Sequence, residues 1–160
     1  MPFHARLALC AALLLPTLPA ANALAEDAAV ASRLDARGIK YEVDEDGDYR
    51  VTYNYAEEGR TQLVFVSGRT ESIGGFRVRE VFAPAAWVDK DEIDGARALA
   101  LLEDSRRQKL GAWEIGGGAV YFVIKVPDSV DAAQLEAAMD IAAEVADNKE
   151  IEFSGERDEL

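Results

Sequence analysis

The 160-residue chain carries 30 acidic and 17 basic side chains, a net charge of −13 at pH 7. That sign disfavours a nucleic-acid partner or adhesion to an anionic membrane, since both reward lysine and arginine. The sole cysteine, Cys10, and the sole histidine, His4, both fall in the first ten residues. Thiol and imidazole chemistry therefore depends on whether that segment is kept.

Residues 1–25 read as a signal peptide. His4 and Arg6 precede an apolar stretch over residues 7–18, and Ala23-Leu24-Ala25 supplies the small residues of a cleavage site. The apolar run falls short of the ~20 residues needed to span a bilayer, and Pro16 and Pro19 would break a continuing helix. Cleavage after Ala25, or after Ala23, would send the protein to the periplasm or outside the cell. It would leave no membrane anchor, disulfide, thiol nucleophile or imidazole base. About 135 residues would remain, enough for one domain with a real core.

Residues 28–37 carry Val30, Ala31 and Leu34 at helical spacing, with Gly38 as the stop. Ile39, Tyr41 and Val43 then alternate with polar neighbours, as a strand does. A tight connection follows over residues 44–48. Next, Tyr49, Val51, Tyr53 and Tyr55 alternate with Arg50, Thr52 and Asn54, and Glu57-Glu58-Gly59 turns the chain. Residues 61–66 are apolar on both faces and predict a central strand. A fourth extended piece covers residues 76–82, with Phe76, Val78, Glu80 and Phe82 on one side and Arg77, Arg79 and Val81 on the other. Pro84 and residues 85–87 are expected to close this first section of sheet.

Residues 90–109 are helical in composition, with Ile93, Ala96, Leu99, Ala100 and Leu102 as the apolar stripe. Gly95 shifts the expected helix start to Asp94, and Gly111 ends the segment. Residues 112–115 and 119–126 predict a hairpin around Gly116-Gly117-Gly118. Pro127 then ends the sheet, and Asp128 or Ser129 is the expected cap of a last helix reaching about residue 148. Leu135, Ala138, Met139, Ala142 and Val145 form its packing face; Glu136, Asp140 and Glu144 form an acidic outer stripe. The sum is an α+β domain over residues 26–150, ordered α-β-β-β(-β)-α-β-β-α, with a polar tail over residues 151–160. Short strand connections make the sheet mainly antiparallel, with helices packed on it.

This pattern resembles the YbjN family of bacterial sensory transduction regulators and their type III secretion chaperone-like fold. The resemblance rests on the hairpin of residues 41–52 around Asp46-Gly47, and on Leu101-Leu102-Glu103-Asp104-Ser105-Arg106-Arg107-Gln108-Lys109-Leu110-Gly111. The hairpin of residues 113–126 and the amphipathic last helix complete it. It implies a chaperone-like or regulatory module that holds a protein or peptide partner, or pairs as a homodimer through sheet and helix.

No motif assigns catalytic, cofactor-binding or metal-binding residues. Asp44-Glu45-Asp46-Gly47-Asp48 lacks the glycine and glutamate positions of a calcium loop and reads as a turn. Gly116-Gly117-Gly118 precedes a strand, without the lysine and helix of a phosphate cradle. Ser67-Gly68 has no nucleophile-elbow context, which leaves carboxylates alone, such as Asp91-Glu92, for any hydrolase. The expectation is a non-enzymatic binding module without a cofactor.

Candidate partner-binding residues are Arg77 and Arg79, which with Arg50 form a cationic patch suited to a carboxylate, and Trp87 and Trp113 as interface anchors. Ordinary ion pairs and core packing are the competing roles for these side chains. Leu101 is the expected exposed apolar position for self-association through the middle helix. An alternative function, a small-ligand carrier, requires a cavity lined by Tyr53, Phe65, Trp113 and Phe122.

Overall fold

Period-two alternation dominates the molecule. The computed structural model describes residues 28–155 and 157–160, so the expected signal segment lies outside the described residues. Ten elements follow in order: α1 (Ala28–Ala36), β1 (Glu42–Val43), β2 (Tyr49–Tyr55), β3 (Arg60–Val66), β4 (Glu71–Ile73), β5 (Phe76–Trp87), α2 (Gly95–Ser105), β6 (Ala112–Gly116), β7 (Ala119–Pro127) and α3 (Ala132–Ser154). The strands form one antiparallel sheet in the order β1-β2-β3-β5-β7-β6, with β4 added to β5. This is the α+β architecture that the sequence predicts.

Alternate residues turn one face of the sheet toward the helices. Tyr49, Val51, Val64, Val66, Val81, Phe122 and Ile124 are buried there against Val30 and Leu34 of α1 and Leu135 and Met139 of α3. Each large apolar side chain so buried contributes about 1.5–3 kcal/mol. Ala138, Ala142, Ala143 and Ala146 are buried along α3, and their small size lets the helix approach the strands closely. Asp94 caps α2 by accepting from Arg97 N at 2.9 Å. Asp131, not Asp128 or Ser129, caps α3 in a reciprocal box with Gln134.

Strand β5 does not stop near Phe82 but continues through Pro84 to Trp87. A register irregularity between Pro84 and Ala86 accommodates the proline, which has no N–H for a ladder. Pairing with β3 ends at Phe82, and the buried Gln62 Nε2 then donates to the Pro84 carbonyl at 2.8 Å. A side chain thus satisfies the Pro84 carbonyl beyond the point where β3 pairs with β5. At the other hairpin, Gly116 pairs with Ala119, and Gly117 and Gly118 take φ of 58° and 84°. That conformation is a two-residue turn matching the strand twist.

Helix α3 runs six residues past its expected end. Asp147 and Glu150 extend it because they are buried and paired with Arg60, the first residue of β3, at 3.0 Å each. The last residues fold back on this corner: Asp158 accepts from Thr61 N at 3.1 Å, and Glu159 N donates to Glu150 Oε1 at 3.0 Å.

Candidate partner-binding surfaces

Arg77 and Arg79 are two positions apart on β5, and the structure gives them different surroundings. Arg79 is 0% exposed. Its Nε and Nη2 donate to Asp128 Oδ1 at 3.2 and 2.8 Å, and its Nη1 donates to the Ser67 carbonyl. Arg33 of α1 donates to the Asp128 carbonyl at 2.7 Å, and Arg77 reaches Asp128 Oδ2 at 3.2 Å from an exposed position. Asp128 therefore gathers three arginines and ties α1, β5 and the β7–α3 connection together. The expected cationic patch is corrected accordingly: Arg79 is interior, Arg50 pairs with Glu42, and of these three Arg77 alone combines exposure with a place beside Asp128. A lone aspartate after Pro127 gave no hint of this in the sequence.

The tryptophans also separate. Trp113 is buried edge-to-face on Phe122 at 5.1 Å and donates from Nε1 to Asp104 Oδ2 at 2.8 Å. It joins β6 to α2 and is no surface anchor. The Asp104 carboxyl is partly desolvated, yet hydrogen bonds from Trp113 and Gln108 hold it below its ordinary range. Trp87, at the end of β5, remains at the surface with the Lys90 ammonium 5.8 Å from its ring. Its backbone N–H donates to the buried Asp91 at 2.7 Å.

On α2 the expected polarity is reversed. Leu101 is 3% exposed and belongs to the core, whereas Leu99 and Leu102 are 64% and 63% exposed. Ser105 explains the rotation: its Oγ accepts from Trp113 N at 2.9 Å, so the face holding Leu101, Asp104 and Ser105 must turn to β6. Leu99 and Leu102, spaced i,i+3, are left as neighbours on the outside. Leu110, just beyond the helix, is exposed as well.

Strand alternation also separates the residues assigned to a ligand cavity. Trp113 and Phe122 face the helices, while Phe65 stacks on Phe82 at 5.2 Å on the opposite face. Tyr53 shares the helix face and donates from its hydroxyl to Asp140 at 2.8 Å. Burial and that carboxylate raise its pKa. Four side chains divided between two faces cannot line one pocket.

The acidic motifs serve structure. Asp44 Oδ1 accepts from Asp46 N and Asp48 N at 3.0 and 2.9 Å and so shapes the β1–β2 turn. Asp48 accepts from Gly68 N at 2.9 Å. That loop approaches so closely that a Cβ on Gly68 would lie 1.9 Å from the Gly47 carbonyl. Burial raises the Glu150 pKa even with Arg60 beside it. Among the described residues, no cluster of three or more histidine, cysteine or acidic side chains has the placement to hold a metal ion, and no helix is long and apolar enough to cross a membrane.

No family model matches the chain, and no curated protein is similar to it in sequence. Among solved structures, one chain of the HopA1–SchA chaperone–effector complex superposes with a TM-score of 0.52 at 9% identity. The match covers 74% of this chain and 88% of that one. The fold is one seen in a chaperone–effector complex. At this identity the likeness is one of architecture, and it agrees with the chaperone-like fold expected from the sequence.

Proposed function

We propose that the protein is an exported, non-enzymatic, chaperone-like module of the YbjN type that binds a polypeptide partner. The observation that carries this reading is the pair Leu99 and Leu102, each more than 60% exposed on α2. A helix that leaves two adjacent leucines in water retains apolar area for a partner to cover. The shared architecture with a chaperone–effector complex supports the same reading, and the apolar segment of residues 7–18 supports export. A second copy of the chain is one partner that α2 would accept.

Suppression of heat-induced aggregation of an unrelated client enzyme tests the proposal. The wild-type protein is expected to keep the client soluble, and Leu99→Asp with Leu102→Asp to lose that effect while keeping its own melting temperature. Equal performance of the two proteins, or no suppression by either, would overturn the reading. Molar mass by light scattering on the same samples identifies self-association through α2, which the double variant would reduce to monomers.

A further inference from the structure

We infer that the sheet face turned away from α1 and α3, with the tip of the β4–β5 hairpin, docks a polypeptide segment in which apolar side chains are flanked by lysine or arginine. This surface is separate from the leucines of α2, and the inference rests on the reading of the protein as a polypeptide binder.

The apolar part is fixed by alternation along β5. Arg79, Val81 and Ala83 face the helices, so Phe76, Val78, Glu80 and Phe82 face outward. Ile73 pairs with Phe76 at the hairpin tip, where the two are 63% and 73% exposed. Farther along, Phe82 stacks on Phe65 and meets the edge of Tyr121 at 6.0 Å. Two depressions flank this ridge and share Glu80 and Phe82 as a common wall. One, of about 320 Å³, is bounded by Asp46, Asp48, Arg69 and Glu71. The other, of about 200 Å³, is bounded by Glu114, Ile115, Tyr121 and Val123.

The charges around these depressions select the occupant. Lys125 is already engaged, at 2.5 Å from Glu114 and 3.5 Å from Glu80. Asp46, Asp48 and Glu71 then face Arg69 alone in the larger depression. A cationic side chain seated there would meet complementary potential, and its apolar neighbour would cover Phe82 or Phe76. A second copy of a chain with net charge −13 would instead set this acidic rim against its own kind.

The probe is the synthetic peptide acetyl-Lys-Leu-Lys-Phe-Lys-Leu-Lys-amide, with a control carrying glutamate at every lysine, titrated calorimetrically into the purified protein. The lysine peptide is expected to bind at least about tenfold tighter than the control and to weaken as salt is raised. Phe76→Ser combined with Glu80→Lys, both at solvent-facing positions, should weaken it at least about fivefold. Leu102→Asp should leave it unchanged. Equal affinity for the two peptides, or indifference to the Phe76 and Glu80 substitutions, would overturn the inference. So would loss of binding on Leu102→Asp, which would assign the peptide to α2 and leave the proposed function standing. A concentration-dependent dimer abolished by Phe76→Ser would also overturn it, assigning the face to self-association.

Discussion

The two faces of the sheet come from the same strands, one residue out of step, yet they treat charge in opposite ways. On the helix face, charged groups are drawn inside and matched: Arg79 with Asp128, and Arg60 with Asp147 and Glu150. On the outer face, charged groups stay in water around a modest apolar ridge, as Glu80, Lys125 and Glu114 do around Phe82. A buried ion contributes to specificity only while its partner is present, because an orphaned charge in the interior is costly. A solvated ion can be exchanged for a partner's charge at little cost. The first face therefore holds the fold, and the second is free to recognise.

The largest test sets a buried matched charge against a solvated one, in a pair of variants two positions apart on the same side of β5. Arg79→Ala is expected to cost about 3 kcal/mol or more in denaturant unfolding, since it strips a buried partner from Asp128 and Ser67. Arg77→Ala, at an exposed position, should cost under about 0.5 kcal/mol. Equal costs would mean that depth of burial does not set what a charge on that side contributes. Of similar size, Phe122→Ala should cost about 3–5 kcal/mol as a core truncation. Phe82→Ala, whose ring is only partly buried, should cost well under half of that.

Asp104→Asn should cost about 1–2 kcal/mol at neutral pH, because Trp113 and Gln108 donate to the ionised carboxylate. The folded pKa lies below the unfolded one, so this stabilisation is present above about pH 4 and is lost as the pH falls through the folded value. The gap between wild type and Asp104→Asn, followed by urea midpoints, should therefore close on acidification; a gap that widened would contradict the assignment. The smallest effect is expected for Leu102→Asp, which should change stability by no more than about 0.5 kcal/mol.

Alternation made β2, β3 and β7 legible, because their buried positions are apolar without exception from Val64 to Val66 and from Val120 to Val126. It failed where a buried position is polar. Arg79, Gln62, Asp147 and Glu150 sit inside because of partners 22 to 90 residues away, and no local window contains that information. Strand β4 escaped notice because three exposed residues, Glu71 to Ile73, have no buried side to read. The rotation of α2 was hidden for a related reason. Leu99, Leu101 and Leu102 are chemically alike, and only the hydrogen bonds of Ser105 and Asp104 to Trp113 fix which of them turns inward. The surfaces proposed for recognition are legible only after these assignments, since they consist of what the core leaves over.

The ion pairs of Arg60 join the first residue of β3 to residues of α3 that follow 87 and 90 positions later. During synthesis α1, β2 and β3 emerge well before α3, and until then the side of the sheet carrying Tyr49, Val64 and Val66 has only the short α1 to cover it. Closure of such distant contacts is slow compared with hairpin formation, so a nascent chain stalled before Ala132 would expose its apolar strands and be prone to aggregate. Docking of α3 is thus expected to complete the cover of this face.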